Sequence, residues 1–144
     1  MKIAKVLLVD DETSFLSIME KRLASRELDV TTAESGPEAL DALTNDDEID
    51  VVILDVKMPG MDGLQTLKEI RTNHPLAEVV MLTGHGTIES AIEGMKQGAF
   101  DYLLKPCDID QLIAVVRGAK EKKERHEEKI IQAQMKEITT RYSG

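Results

Sequence analysis

Five short apolar runs, each followed by a longer amphipathic segment, set the tightest limit on what this chain can fold into. The runs are Ile3–Val9, Val30–Ala33, Val51–Leu54, Val79–Leu82 and Phe100–Leu104. They consist mostly of Val, Leu and Ile without polar alternation, which is typical of strands buried on both faces of a parallel sheet. A chain of 144 residues has room for one such domain and a short appendage.

The segments between the runs carry the spacing of amphipathic helices, because apolar side chains recur at about every third or fourth residue. The stripes that we expect to face the core are Phe15, Ile18, Met19 and Leu23; Ala39, Leu40 and Leu43; Leu64, Leu67 and Ile70; Ile88, Ala91, Ile92 and Met95; and Ile109, Leu112, Ile113 and Val116. Ser35, Asp62 and Asp108 each precede a stripe and predict helix starts, since their side-chain oxygens can cap backbone N–H groups. Five strands alternating with five helices predict a doubly wound α/β fold.

Composition excludes several classes of function. Acidic residues outnumber basic ones 27 to 18, aromatic residues make up 3%, and Trp is absent, so we expect no direct binding of nucleic acid. The single cysteine, Cys107, rules out a disulfide framework and is interpreted as a small packing residue. No apolar run approaches the roughly 18 residues of a membrane span, and the first run is too short for a signal peptide. We therefore expect a cytoplasmic protein that does not bind membranes.

Polar side chains follow four of the five predicted strands, at the point where each strand ends. Asp10 and Asp11 follow the first run, Asp55 the third, Thr83 the fourth and Lys105 the fifth. Ligands of open parallel sheets bind outside the carboxyl ends of the strands. The sequence therefore predicts that three carboxylates, one hydroxyl and one amine gather at a single edge of the sheet.

Three carboxylates at one point raise one another's pKa unless a cation lies between them. Oxygen ligands without His or Cys favour a hard divalent ion, and a shallow site with few protein ligands favours Mg²⁺ over Ca²⁺. A carboxylate held ionised by Mg²⁺ and an ammonium can attack a phosphoryl group, and Lys105 and Thr83 can each bind one phosphoryl oxygen. A side chain at Gly84 would crowd the incoming phosphoryl group.

These residues carry a resemblance to a known family. Asp10-Asp11, Asp55 within the segment 54–63, Thr83 and Lys105-Pro106 resemble the receiver domain of bacterial two-component response regulators, from residue 1 to about residue 118. The runs 82–87 and 98–102 most resemble receivers that precede AAA+ transcription activators. The resemblance implies a flavodoxin-like (CheY-like) five-stranded parallel sheet of order 2-1-3-4-5 with five helices, the last of them extended. No phosphate-binding Gly-x4-Gly-Lys-Ser/Thr loop is present, so the chain is either a stand-alone receiver or part of a longer protein with an output domain.

The resemblance also implies a role for each acid of the cluster. Asp55 is the expected phosphoacceptor. Asp11 and Asp55, with the backbone carbonyl of Lys57, are the expected ligands of Mg²⁺, and Asp10 helps through water.

The remaining site residues are assigned by the same resemblance. Lys105 is expected to bind the phosphoryl group, with a cis peptide before Pro106. Thr83 and Tyr102 are the expected switch pair. Lys57 and His85 stand where the family tunes its dephosphorylation rate, although an exposed loop histidine is the simpler interpretation of His85.

Together these expectations describe a phosphorylation-controlled switch rather than an enzyme with a turnover substrate. Asp55 would accept a phosphoryl group from a sensor histidine kinase or a small phosphodonor and relay it through the fourth helix, fifth strand and fifth helix, residues 87–116. One alternative is a phosphohydrolase of the haloacid-dehalogenase type, which requires a second Asp where this chain has Lys57. The other alternative is a receiver-shaped dimerisation module that is never phosphorylated.

The last part of the chain is of a different kind, and we divide the sequence into a receiver, 1–118, and a charged helical extension, 119–144. The run 120–129 contains only charged residues and His, which predicts a solvated continuation of the fifth helix. Beyond it, Ile131, Met135, Ile138 and Tyr142 form an apolar stripe with helical spacing. We predict a dimerising helix, with a connector to an output domain or a partner-docking helix as alternatives. A homodimer through the switch face is a further alternative.

Overall fold

The computed structural model describes residues 2–143 and has the predicted alternation of strands and helices. The elements are β1 (Ala4–Val9), α1 (Thr13–Ala24), β2 (Leu28–Ala33), α2 (Gly36–Asn45), β3 (Val51–Leu54), α3 (Gly63–Asn73), β4 (Glu78–Thr83), α4 (Ile88–Lys96), β5 (Asp101–Leu104) and α5 (Ile109–Ser143). Met1 and Gly144, the outer ends of the two predicted segments, lie outside the described residues. None of the helices in this part of the chain combines the length and the apolar character needed to cross a bilayer.

The five strands form one parallel sheet of order β2-β1-β3-β4-β5, which confirms the order implied by the resemblance. Strand order reverses between β1 and β3, because the chain first moves from β1 to β2 and then returns past β1. Backbone pairing continues beyond the strand ends at this point: the Asp55 N–H donates to the carbonyl of Val9 at 3.1 Å. Beyond the ends of β4 and β5, at the same carboxyl edge, the Lys105 N–H donates to the carbonyl of Thr83 at 2.8 Å. The ladder therefore fixes the backbone of the predicted site residues.

Two apolar layers cover the sheet, and successive residues of the central strands alternate between them. One layer packs α1 and α5 on the sheet and includes Leu8, Ile53 and Leu112. The other packs α2 and α3 on the opposite face and includes Leu54 and Leu67. Because the residues of these strands alternate between two covered faces, the runs Val51–Leu54 and Val79–Leu82 carry no polar residue.

The edge strands depart from the prediction that all five strands are buried on both faces. In β2, Asp29 and Thr31 are exposed, and in β5 the side chain of Leu104 is 58% exposed. Each of these strands has only one neighbour in the sheet, so the helices do not cover its outer side. The prediction holds for β1, β3 and β4.

Two of the predicted helical stripes were wrong in part. In α1, Ile18 is 61% exposed and Leu16 is buried in its place. In α4, Ile88 is 82%, Ile92 51% and Met95 47% exposed, and Gly94 is the buried residue of that helix. The reason is that α4 lies at the margin of the sheet and approaches β5 through small residues, so its large side chains point outward.

Helix starts follow the predicted caps. The Ser35 hydroxyl accepts the Glu38 N–H at 3.2 Å, and Asp62 and Gln65 form a reciprocal capping box. Asp108 accepts the N–H of Asp110 at 3.1 Å at the start of α5. These side chains satisfy N–H groups that the helices themselves leave free.

The fifth helix is continuous to the end of the described chain, at about 1.5 Å per residue some 50 Å long. Its packing on the domain continues past residue 118, since Ala119 is fully buried and the Lys123 side chain is 8% exposed. The Lys123 ammonium donates to Asp50 at 2.9 Å, at the amino edge of the sheet. From residue 128 to 142 every side chain is exposed. The extension therefore leaves the receiver at the edge opposite to the predicted site.

Candidate functional site

Asp10, Asp11 and Asp55 form an acidic cluster at the carboxyl edge of the sheet. One carboxylate oxygen from each lies within 4.8 Å of the others. Asp10 and Asp55 are both 1% exposed, whereas Asp11 is open to solvent. Three anionic oxygens at this separation are a ligand set for a hard divalent cation. The predicted gathering of these side chains is what the structure shows.

Asp55 is buried without a compensating partner. Within residues 2–143, neither of its carboxylate oxygens has a hydrogen bond. Burial is the main reason that the pKa of Asp55 lies above its ordinary value, and the Asp10 carboxylate adds to the effect. The nearby Thr83 hydroxyl and the Lys105 ammonium act in the opposite direction without reaching hydrogen-bond geometry. A cation bound to these free oxygens would remove the cost of burying this charge, so the residues fit Mg²⁺.

Lys105 provides the positive charge of the site. Its ammonium donates to the buried oxygen of Asp10 at 2.5 Å, and the Lys105–Pro106 peptide bond is cis. The same nitrogen lies 3.8 Å from the centroid of the Phe15 ring, which is a cation–π contact. Sequence reasoning missed this contact, because Phe15 follows the helical spacing of a core residue and no local signal distinguishes the two roles.

Thr83 is fully buried at the end of β4, and its hydroxyl oxygen accepts the N–H of His85 at 3.0 Å. A hydroxyl can accept this bond and still donate its own hydrogen, so Thr83 retains a donor. At Gly84 an added Cβ would meet only the Lys105 side chain, at 3.9 Å. The protein itself therefore leaves room beside Thr83 for a small group.

The site opens to solvent through a cavity of about 330 Å³. Its walls are Asp11, Glu12, Lys57, Met58, Pro59 and His85. Lys57 and His85 are exposed, so the two predicted rate-tuning residues stand at the rim of the opening. The Lys57 backbone N–H points towards Asp55 and favours its charged form.

Tyr102 and Thr83 lie on neighbouring strands and face the same side of the sheet. The register pairs Thr83 with Leu104 and Met81 with Tyr102. The Tyr102 hydroxyl lies 2.7 Å from the hydroxyl of Ser90 in α4. Sequence reasoning missed Ser90: Thr87 and Ser90 form a capping box, but its third helical position holds Ser, whereas the usual pattern has Glu or Gln there.

Residues 6–117 match the family described as the response regulator receiver domain, and the chain belongs to that family. Receiver domains are signalling modules, and they bind Mg²⁺ at an acidic cluster of the kind formed by Asp10, Asp11 and Asp55. The fold, the order of the strands and the family were all expected from the sequence.

Among characterised proteins, the chain is 47% identical over 112 residues to the DNA-binding transcriptional regulator NtrC of Klebsiella pneumoniae. That match covers 78% of this chain and 24% of the regulator. The transcriptional regulatory protein GlrR of Escherichia coli is 42% identical over 120 residues, which are 83% of this chain and 27% of that protein. The chain thus spans about a quarter of the length of these relatives. They confirm the resemblance to receivers of AAA+ transcription activators.

Solved structures agree with the fold. A response regulator receiver domain protein from Clostridium thermocellum has a TM-score of 0.80 and 40% identity, covering 84% of this chain and 97% of that chain. NtrX from Brucella abortus, in a structure with ATP, has a TM-score of 0.80 and 35% identity. That match covers 88% of this chain and 29% of the NtrX chain.

Proposed function

We propose that this chain is a phosphorylation-controlled switch in which Asp55 accepts a phosphoryl group from the phosphohistidine of a sensor histidine kinase or from a small phosphodonor. The observation that carries the proposal is the buried Asp55 carboxylate, whose two oxygens lack hydrogen bonds in the described chain and lie beside two further acids. A buried unpaired carboxylate is costly for a purely structural protein. A nucleophilic role would account for it, and the open cavity lined by Asp11 and Lys57 supports this role.

Asp11, Asp55 and the backbone carbonyl of Lys57 would hold Mg²⁺, with Asp10 acting through water. The ion would supply positive charge that keeps Asp55 ionised and neutralises the charge of the phosphoryl oxygens. The chemistry of the donor set supports this assignment, since all of its atoms are oxygens and Asp11 is open to solvent.

In the transfer step, an Asp55 oxygen forms a bond to phosphorus while the bond from phosphorus to the donor nitrogen breaks. The electron pair of the broken bond stays on the imidazole of the kinase. Lys105 lies 2.5 Å from Asp10 and can turn its remaining donors towards a phosphoryl oxygen. The free hydrogen of the Thr83 hydroxyl can bind a second oxygen. Later attack by water at phosphorus releases inorganic phosphate and restores the Asp55 carboxylate.

The output of the switch would leave through the face formed by α4, β5 and α5. Ile88, Ile92 and Met95 of α4 and Leu104 of β5 are exposed there, although they are large and apolar. Thr83 ends the strand next to β5, so its movement towards a phosphoryl group is transmitted to Tyr102 and this face. A homodimer, through this face or through residues 119–144, and a separate output domain are the partners that this arrangement suits.

The test is to incubate the protein with acetyl phosphate and Mg²⁺ and to weigh the intact chain. We expect a gain of one phosphoryl mass that requires Mg²⁺ and disappears in Asp55→Asn. Asp47→Asn is the matched control, because Asp47 is an exposed acid outside the cluster, and it should be phosphorylated normally. Sustained release of phosphate from small phosphomonoesters would indicate a phosphohydrolase instead. An unmodified chain that still forms dimers would indicate a dimerisation module.

A further inference from the structure

The Tyr102 ring lies against a row of small residues on α4 and the turn before it. Gly86, Ser90 and Gly94 are four residues apart, and all three contact the region of the ring. A Cβ added at Gly86 would lie 3.0 Å from the Tyr102 hydroxyl, and one at Gly94 would lie 3.6 Å from its Cδ2. The ring therefore packs along the helix, and a side chain at Gly86 would crowd both the ring and Leu104, whose Cδ2 would lie 2.5 Å from the added Cβ.

Ser90 is the one residue of this row with a polar side chain. That side chain takes part in the N-terminal cap of α4 and also contacts Tyr102. Its hydroxyl oxygen accepts the N–H of Thr87 at 3.0 Å, while the Thr87 hydroxyl accepts the N–H of Ser90 at 3.0 Å. This reciprocal pair caps the first turn of α4. The same Ser90 oxygen lies 2.7 Å from the hydroxyl of Tyr102.

The hydrogen-bonding capacity of one hydroxyl accounts for all of these contacts. A serine hydroxyl has one hydrogen to donate and two lone pairs to accept with. When Tyr102 donates to Ser90, Ser90 accepts from both Tyr102 and the Thr87 N–H and donates its own hydrogen to the Thr87 carbonyl at 3.0 Å. The Thr87 hydroxyl also lies 3.1 Å from the Ser90 oxygen, so departure of the ring leaves that lone pair to the Thr87 hydroxyl and rearranges the hydrogen bonds of the cap.

We propose that Ser90 is a positioning residue that joins the Tyr102 ring to the N-terminal cap of α4, so that the ring and the first turn of the helix change position together. The inference deepens the proposed function, because Tyr102 is there the switch residue. Ile88 and Ile92 stand on this turn and on the next one, so their exposed side chains move with the cap. By linkage, the ring stabilises the cap as much as the cap stabilises the ring.

The first experiment uses the full chain without any phosphodonor, so that its result does not depend on phosphorylation. Tyr102→Phe keeps the ring and removes only its hydroxyl. It should speed amide hydrogen exchange about threefold to tenfold at Thr87, Ser90 and Ala91, whose N–H groups are hydrogen-bonded within the cap, and this is the range that one neutral hydrogen bond provides. Unchanged exchange in this turn would overturn the proposal.

Two further variants separate the ring contact from ordinary helix capping. Ser90→Ala should shift the NMR signals of the Tyr102 ring, observed in a Tyr142→Phe background in which Tyr102 is the remaining tyrosine. Thr87→Ala removes a capping oxygen but keeps the Ser90 hydroxyl that contacts the ring, so it should speed exchange and shift the ring signals less than Ser90→Ala does. Equal ring shifts in both variants would mean that Ser90 acts only through helix stability, against the proposal.

The last experiment compares wild type and Ser90→Ala after treatment with acetyl phosphate and Mg²⁺, with phosphorylation measured by mass. We expect both to be phosphorylated and the change in α4 amide signals to be reduced severalfold in Ser90→Ala. An equal change in α4 would overturn the role of Ser90. Failure of the wild type to gain phosphate would instead contradict the proposed function. The exchange and ring-signal experiments on the unphosphorylated chain would then still test the coupling between Tyr102 and the cap.

Discussion

The ionised form of the Asp55 side chain is disfavoured by burial and by the neighbouring Asp10 carboxylate. Its oxygens have no hydrogen bond within residues 2–143, and its pKa is raised chiefly by burial. The folded protein therefore holds a proton on Asp55 at pH values where the unfolded chain has already lost it. The contribution of Asp55 to stability therefore falls as the pH rises from about 4, the ordinary pKa of an Asp, through its raised pKa in the folded state.

Asp55→Asn should accordingly make the protein more stable at neutral pH, by about 1 kcal/mol, because it removes an unpaired buried charge. The gain should shrink as the pH falls through the raised pKa of Asp55 and vanish below about 4, where Asp55 becomes protonated in the folded and the unfolded state. It should also shrink when Mg²⁺ is added to the wild type. Urea unfolding of the two proteins across this pH range, with and without Mg²⁺, measures the difference. A loss of stability in Asp55→Asn at pH 7 without Mg²⁺ would contradict this description of the site.

A substitution at Gly84 should affect the rate of phosphorylation much more than the stability of the fold. Since an added Cβ would lie 3.9 Å from Lys105, an ordinary contact, Gly84→Ala should fold with a stability within about 0.5 kcal/mol of wild type. Gly84→Val adds two further methyl groups at the same exposed position. Phosphorylation by acetyl phosphate should nevertheless be slower by roughly tenfold or more, because the side chain occupies the approach to Asp55. Gly84→Ala, with the smaller side chain, should be slowed less. Rates by intact mass and stability by urea unfolding test both parts, and normal rates in Gly84→Val would refute the steric role.

Most of the site could be predicted because its residues directly follow apolar runs, and the ends of parallel strands meet at one edge. Asp10, Asp55 and Lys105 are fixed in this way by backbone pairing alone. Phe15 and Ser90 could not be predicted, because their contacts depend on the rotation and tilt of α1 and α4. Periodicity indicates that a helix has an apolar face, but it does not specify which single side chain reaches a lysine or a tyrosine.

At the scale of elements, α4 and α5 show two ways in which tertiary structure overrides a sequence pattern. The apolar stripe of α4 points to solvent because small residues face β5. The charged run of α5 is only partly solvated, because it crosses the amino edge of the sheet. Its lysines form ion pairs there with acidic residues of the domain. Glu78, fully buried, has its oxygens 3.4 Å from the Lys122 ammonium and 3.7 Å from the Arg71 guanidinium. The sequence predicted a solvated continuation of the helix and missed these longer connections.

Lys123 is a further side chain that attaches α5 to the amino edge of the sheet. Burial works against its charge, but the hydrogen bond to Asp50 and the nearby carboxylates raise the pKa of Lys123 above its ordinary value. Lys123→Met should destabilise the protein by about 2–4 kcal/mol, because it leaves the half-buried Asp50 with less compensation. Lys129→Met, at an exposed position of the same helix, should change stability by less than about 0.5 kcal/mol. Urea unfolding of both variants is the measurement, and equal effects would show that the ion pair does not fasten the helix.

At the scale of the whole molecule, the site and the free part of α5 lie at opposite edges of the sheet. The helix starts after β5, beside Lys105, and leaves the domain beyond Lys123. Its exposed stripe, Ile131, Met135, Ile138 and Tyr142, is 47–82% open to solvent. The sequence predicted both the stripe and the continuity of the helix, since neither depends on contacts with the domain. The predicted end of the receiver at residue 118 precedes the last packed residue, because a boundary drawn from composition cannot detect long-range ion pairs.

The dimer proposed for residues 119–144 depends on this stripe. Ile131→Asp combined with Ile138→Asp should convert a dimer into a monomer in sedimentation experiments while phosphorylation of Asp55 is retained. Thr140→Asp is the matched control, because Thr140 lies on the opposite side of the helix, about 180° from Ile131, and it should remain dimeric. A wild type that is monomeric at all concentrations, or a dimer that survives the double substitution, would assign the tail to a connector or to another partner.

The most direct measurement of the central claim is to locate the phosphoryl group itself. Reduction of an acyl phosphate with borohydride converts the modified aspartate into homoserine, which peptide mass spectrometry can place in the sequence. After treatment with acetyl phosphate and Mg²⁺, we predict homoserine at position 55 and at no other aspartate. Homoserine at another position, or a phosphoryl group on one of the three histidines, would contradict the claim that Asp55 is the acceptor.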